Sequence, residues 1–593
     1  MGVRMAFIKQ FFEHKYFFLI FSGGILMLLL LGCNNKSKIK KYPINSDVYT
    51  TAQRTIRFSA ITNLLPFELC EISKYAQYGY GIWTFGPGLV LDQRVDLMPK
   101  DYVIPPLPTI KKLLSFFTIT DIHITDKESP SQLIYLQQLN ARNAKFAPVY
   151  SPVMLYTIHV LDAAIQTINA LHKKNPVDFV ISLGDTCNNT QYNETRWYID
   201  VLDGKVIIPS SGAHVGADTI DYQKPFKAAG LDQEIPWYQT VGNHDHFWMG
   251  SLPVNDFLRQ SFISDTCIAA GDVIADPTNI NKPDYYMGVL DGSTPYGKII
   301  DAGPVTSFVS APKVIADLNR RSLPITKWMS EFFKTSSHPI GHGFNMIDAK
   351  NGFACYSFIP KSTIPIKVIV LDDTQREDDG SIAIHGHGFL DKKRLDWLKK
   401  ELADGQAAGQ LMIIAAHIPI DVEAPDSELA WWNDAQNAIT VSDLIKELQN
   451  HPNFIMWMAG HRHCNVIKAF VSNDPLNHPE NGFWQVETAS LRDFPQQFRA
   501  FEIYLNSDYT ISIITTNVDP AVENKTPAAI SRSYAIATEQ IVGNQRIYQK
   551  QSTSPDANIK PMPTGSYNAE LFKKLSPDME AKMRILYPIV PSR

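Results

Sequence analysis

Ile235-Pro236-Trp237-Tyr238-Gln239-Thr240-Val241 runs directly into Gly242-Asn243-His244-Asp245. A short apolar and aromatic run of this kind reads as a strand buried in a sheet. What ends it is a glycine followed by an amide, an imidazole and a carboxylate. The chain repeats the arrangement four times. Residues 113–120 lead to Asp121-Ile122-His123, 179–183 to Gly184-Asp185, 411–416 to His417, and 454–459 to Gly460-His461-Arg462-His463. Open α/β sheets carry their sites beyond the carboxyl ends of their strands, so five such ends converge. A lone histidine there is more often a satisfied core or surface residue, but that reading does not account for the ordered set.

Between these ends the pattern alternates strand and helix. Ser151-Pro152 offers a capping side chain and then proline at a first helical position. Leu161, Ile165, Ile168 and Leu171 follow at helical spacing, and Asn175-Pro176 stops the helix. The spacing predicts strands at 177–183, 367–371, 411–416, 483–487, 498–505 and 509–516, and a helix at 390–402. This is an α/β arrangement. Residues 249–339, rich in Gly, Pro, Asp and Asn, read as a large insertion. Residues 33–110 read as a tether and N-terminal extension, and 520–593 as a polar tail without chemistry of its own.

The ordered set DxH, GD, GNHD, H and GHxH resembles the calcineurin-like metallophosphoesterase superfamily over about residues 113–517. The resemblance implies a four-layer αββα sandwich: two mixed sheets face to face, flanked by helices, over a domain of about 111–519. It assigns Asp121, His123, Asp185 and His463 to one metal, and Asp185, Asn243, His417 and His461 to a second, with Asp185 bridging. Carboxylate, imidazole and amide without thiolate suit Mn, Fe or Zn in a divalent or trivalent pair rather than a structural zinc. The implied reaction is in-line attack of a metal-bridging hydroxide on a phosphate ester. The resemblance gives His244 the role of transition-state stabiliser or acid. Asp245 is expected to orient it, as carboxylates do for catalytic imidazoles.

Departures from relatives in that superfamily bear on the substrate. Asn188 stands where purple acid phosphatases have an iron-binding tyrosine. Val241 and Thr186-Cys187 replace the arginines that Ser/Thr protein phosphatases use to clamp a dianion. These absences favour a phosphodiester over a phosphomonoester. A monoesterase or nucleotidase that scavenges phosphate is the alternative, although about 130 residues after His463 leave little room for a nucleoside-binding domain. A dead binding scaffold is disfavoured because all seven ligand positions are filled. His246 and Arg462 are further candidates for substrate contact. Phe247-Trp248 and Trp431-Trp432 read either as a pocket rim or as loop packing. His338, His342, His385 and His387 take the structural reading.

Composition excludes several classes. Of 593 residues, 45% are hydrophobic and 19% charged, which rules out a disordered polyelectrolyte. A net charge of −5 with no basic stretch of the dominance a nucleic-acid binder needs argues against that partner. Arg4, Lys9 and Lys15 precede a largely apolar run at 17–31, which is short for a bilayer span of about 20 residues. With Leu31-Gly32-Cys33 it reads as a lipoprotein signal peptide over 1–32, lipidated at Cys33, giving a membrane-anchored, extracytoplasmic protein. Five further cysteines show no CxxC pair or regular spacing. Cys187 and Cys464 flank two of the motifs, so a bridge between them is conceivable but not indicated.

Overall fold

The computed structural model describes residues 39–58, 61, 68–104, 106, 109–135, 149–273, 284–376, 386–420, 437–550 and 567–589, except for the side chains of 543–550. By its internal contacts the chain divides into residues 1–41 and a unit from Tyr42 to Arg593. The signal segment and Cys33 lie outside the described residues, as do Trp431, Trp432 and His385. Among the described residues no helix is long and apolar enough to cross a membrane.

Among the described residues, thirteen strands build the two main sheets. In chain order they are β1 (Asp92–Arg94), β2 (Thr109–Ile119), β3 (Phe179–Ser182), β4 (Trp237–Gln239), β5 (Tyr356–Phe358), β6 (Ile366–Val370) and β7 (Leu411–Ala415). They continue with β8 (Phe454–Ala459), β9 (Val466–Phe470), β10 (Phe483–Glu487), β11 (Phe498–Asn506), β12 (Ile511–Val518) and β13 (Ala569–Lys573). A seven-stranded sheet has the order β1-β13-β12-β11-β2-β3-β4, and a six-stranded sheet the order β5-β6-β7-β8-β10-β9. Both are mixed. Strands β2, β3 and β4 are parallel while β11 runs antiparallel to β2. Strands β6, β7, β8 and β10 are parallel, with β5 and β9 antiparallel at the edges.

The alternation of side chains along β6 to β8 fixes the layering. Val368, Val370, Ile413, Ala415, Met456 and Met458 join the core shared with the seven-stranded sheet. Their neighbours Ile369, Met412, Ile414 and Trp457 point the other way, against Leu398 and Leu402 of a helix and Leu444 and Leu448 of another. Strands covered on both faces read as unbroken apolar runs, which is why Leu-Met-Ile-Ile-Ala shows no alternation. Those helices are α3 (Lys392–Ala407) and α4 (Val441–Gln449); before them come α1 (Thr157–Lys174) and α2 (Tyr192–Leu202). On the opposite side, Tyr198 of α2 donates to Gln239 of β4 at 2.9 Å. Phe358 crosses between the sheets, stacking on Tyr238 at 3.7 Å and meeting Phe179 edge-on at 5.5 Å. The result is the four-layer α/β sandwich that the sequence predicts.

Three regions differ from expectation. Ser151 caps a short 3₁₀ turn, Pro152–Leu155, and α1 begins only at Thr157. The stretch read as an irregular insertion holds a helix, Asp256–Ile263, and a hairpin of Tyr285–Asp291 with Lys298–Pro304. The stretch read as a polar tail supplies α5 (Pro527–Lys550), β13 and α6 (Pro577–Leu586). β13 pairs with β12 and then with β1 of the N-terminal extension. Leu571, Met579 and Met583 are buried there. The sequence obscures this because β13 and α6 are short, and polar residues run through and between all three pieces.

Candidate metal centre

All five strand ends meet at one place. β2 delivers Asp121 and His123, β3 delivers Asp185, and the turn after β4 delivers Asn243 and His244. From the other sheet, β7 delivers His417, and β8 delivers His461 and His463. Asp121, His123, Asp185, Asn243 and His417 are buried, whereas His244, His461 and His463 are half-buried and form the open side.

Local backbone explains how carboxylates come so close. Gly242 lies where a Cβ would stand 2.2 Å from Asp185 Oδ1, and at Gly460 one would stand 2.5 Å from Asp121 Oδ2. A glycine before each motif therefore lets one strand end approach the carboxylate of another. Asp185 Oδ1 accepts the His244 amide at 2.8 Å, and Asp121 accepts the His461 amide at 2.9 and 3.1 Å.

The donor atoms fall into two groups that share one oxygen. His123 Nε2 is 3.1 Å from His463 Nε2 and 3.6 Å from Asp185 Oδ2, and His463 Nε2 is 3.4 Å from Asp121 Oδ1. In the second group His417 Nε2 is 3.3 Å from the same Asp185 Oδ2 and 3.0 Å from Asn243 Oδ1. His461 Nδ1 is 3.1 Å from Asn243 Oδ1 and 3.2 Å from His417 Nε2. Asp121-His123-His463 and Asp185-His417-His461 each bring their ligand atoms within 4.8 Å of one another, as does His123-Asp185-His244. The seven positions thus lie together, and His244 joins one of the three groups.

Outer partners turn the lone pairs inward. His417 Nδ1 donates to the Leu183 carbonyl at 2.8 Å, and His463 Nδ1 meets Asp493 Oδ2 at 2.6 Å. Both rings therefore face the cluster with Nε2, as metal-ligating histidines do. The Asn243 amide donates to the Gly250 carbonyl at 2.9 Å, which points Oδ1 at the two histidines. Nitrogen and oxygen lone pairs converging on one space at 3.0–3.3 Å repel unless a cation or protons fill it. Without a cation, burial works against charge on His417 and His463, but Asp185 and Asp121 respectively overcome it and raise each to about 10. His123 and His461 are held well below the usual imidazole range by burial and by neighbouring imidazoles. The residues present fit a metal.

Several expected roles change. His244 Nδ1 donates to the Asn188 carbonyl at 2.7 Å. Asp245 does not orient it. Its carboxylate is buried and accepts from the amides of Asp185, Thr186, Cys187 and Gly242 and from the Thr186 hydroxyl at 2.7–3.1 Å. Asp245 shapes the Asp185 loop, and a carbonyl orients the imidazole instead. Arg462, a candidate for substrate contact, pairs through both arms of its fork with Glu487 at 2.6 Å. His246 is buried, with Nε2 at 2.9 Å from Thr374 Oγ1, so it ties two loops together. Phe247 and Trp248 are buried, and Trp248 packs among Leu133, Leu258 and Phe262 rather than lining a rim. His342 stacks on Trp237 at 3.3 Å, the structural reading. Cys187 and Cys464 are free thiols.

Two residues were missed. Arg492 and Asp493 follow β10, a strand whose end carries none of the five motifs. Asp493 holds His463, and the backbone amide of Arg492 donates to the Asp121 carbonyl at 3.3 Å. The sequence offers only a charged pair in the loop after a further parallel strand, with no glycine or histidine to mark it. No family model and no curated protein matches the chain. Among solved structures, a dimetal phosphatase from Danio rerio is similar at 12% identity and a TM-score of 0.34, over 69% of this chain and 98% of that one.

Proposed function

We propose that the chain is a metal-dependent phosphoesterase with a dinuclear centre, Asp121, His123, Asp185 and His463 on one ion and Asp185, Asn243, His417 and His461 on the other. The observation that carries this reading is Asp185 Oδ2, placed within 3.6 Å of a nitrogen from each group. Bound in such a donor set, a metal pair lowers the pKa of water and neutralises charge on phosphoryl oxygens. The chain's own part begins with orientation: the two sheets hold all the donors before substrate arrives, so little reorganisation is required. His244 is half-buried with Nδ1 committed to the Asn188 carbonyl, which leaves Nε2 for substrate. Burial lowers its basicity and Asp185 partly restores it, leaving the ring neutral at pH 7. An approaching phosphate anion raises its proton affinity, so the ring can take a proton from solvent water and pass it to the leaving oxygen.

The experiment is hydrolysis of p-nitrophenyl phosphate and bis-p-nitrophenyl phosphate by protein stripped with chelator and reloaded with Mn, Fe or Zn. Activity on at least one ester, lost on stripping and restored on reloading, is the expected result; no hydrolysis of either in any metal form sinks the proposal. The sequence favours the diester because arginines are absent at two positions. Arg492, near the centre, is an observation that favours the monoester instead.

For location we propose the reading from the sequence: lipidation at Cys33 and an extracytoplasmic, membrane-anchored protein. Mass spectrometry of the mature N-terminus should find acylated Cys33, whereas an intact Met1 would refute it.

A further inference from the structure

Arg492 is buried to 1% exposure, and its Nε, Nη1 and Nη2 have no hydrogen-bond partner among the described residues. The other deeply buried arginines are treated differently. Arg320 donates to Asp126, Ser211 and the Ile315 carbonyl, and Arg394 to Asp391 and the carbonyls of Asp372 and Thr374. Arg499 donates to Thr515, Asn465 and two carbonyls. Burying a guanidinium costs several kcal/mol unless its donors are met, and at each of these three arginines at least two nitrogens are met, whereas at Arg492 all three are orphaned among the described residues.

The neighbours of Arg492 locate it. Its Nη1 is 3.8 Å from Asp493 Oδ2, beyond hydrogen-bond reach, and that oxygen is occupied by His463 Nδ1 at 2.6 Å. A guanidinium placed only to neutralise Asp493 would bond to it. With its backbone amide on the Asp121 carbonyl and its guanidinium beside the carboxylate that holds His463, Arg492 stands in the wall of the centre on the His463 side, where that ring is half-buried.

The geometry points to Arg492 as the residue that binds non-bridging phosphate oxygens, which makes a terminal phosphate, as in a phosphomonoester dianion, the substrate class of this site. This rests on the phosphoesterase reading above. The chemistry is that of a planar fork matching two oxygens of one phosphate. A dianion with three terminal oxygens gains more from it than a diester monoanion with two. It replaces the diester preference drawn from the absent arginines: the function they serve elsewhere is supplied here from another loop.

The test uses the full metal-loaded chain and its Arg492→Gln and Arg492→Lys variants. Metal content, orthophosphate affinity by titration calorimetry, and kcat/KM for both nitrophenyl esters are measured on each. Wild type should bind orthophosphate and prefer the monoester. Arg492→Gln should retain its metals, weaken orthophosphate binding on the order of 10–100-fold, and lose at least about tenfold more on the monoester than on the diester. Arg492→Lys should fall between, since it keeps the charge and loses the fork. Intact metal content with phosphate affinity within about twofold of wild type, in either variant, overturns the inference; so does a wild type that does not bind orthophosphate or prefers the diester. If Arg492→Gln does not fold, Arg492→Lys decides alone. Arg492-dependent phosphate binding by a wild type that hydrolyses neither ester would overturn the phosphoesterase reading and the substrate assignment while supporting Arg492 as a phosphate ligand.

Discussion

Asp121, His123, Asp185, His461 and His463 have φ between 46° and 70°, a region that non-glycine residues rarely occupy. Such conformations cost roughly 1–3 kcal/mol each and persist only where surrounding bonds enforce them. Here the enforcement is visible, since Asp121 N donates to the Gly184 carbonyl at 3.1 Å and His123 N to the Asp185 carbonyl at 3.0 Å. His244→Ala leaves the seven proposed ligands in place, so it should retain metal and lose roughly 10²–10⁴ in rate; wild-type kcat in that variant would remove His244 from the reaction. Protonation of the empty site is a second residue-level consequence. His417 and His463 carry folded-state values of about 10, above the usual imidazole value of about 6.5. Their contribution to stability is complete below about pH 6.5 and is lost as pH rises through about 10. Chelator-treated protein should therefore melt at progressively lower temperature from pH 7 to 10, and a flat or rising profile in a differential scanning experiment would contradict the assignment. At this scale the residues that cluster were legible because each follows a strand in a fixed order. Arg492 and Asn188 were not: one follows no motif, and the other acts through its backbone carbonyl, which sequence does not distinguish.

At the scale of elements, long apolar strands were read nearly to the residue, with β8 and β10 matching their expected limits. Ends were less legible. β4 is only Trp237–Gln239, and on its outer side the Trp237 and Gln239 amides donate to the His338 and His342 carbonyls of a loop, each at 3.0 Å, rather than to a further strand. β13 escaped notice because five residues between polar stretches carry too little period to register. Yet β13 completes the sheet, joining β12 to β1 and burying Leu571. Truncation after residue 566 should lower the melting temperature and favour aggregation through the exposed edge of β12; a truncated chain that melts like wild type would show that β13 is dispensable. The outer layer is testable too. Leu398 of α3 is fully buried against the six-stranded sheet. Leu398→Ala should cost about 2–5 kcal/mol in denaturant unfolding without changing metal content.

Taken whole, the molecule divides the site between its sheets. The seven-stranded sheet and its loops bring Asp121, His123, Asp185 and Asn243, and the six-stranded sheet brings His417, His461 and His463. Neither half is a site alone, and the layers must dock before the donors meet. Ligand binding to a site that exists only in the folded state stabilises that state, so metal loading should raise the melting temperature. The central claim is that Asp185 joins two metal positions across this seam. It is tested most directly by elemental analysis of purified wild type and Asp185→Ala, both folded by circular dichroism and loaded with the same metal. The account predicts two ions per chain in wild type and a marked loss in the variant, because one substitution removes a ligand from both. Full occupancy in Asp185→Ala, or no bound metal in wild type, would contradict it.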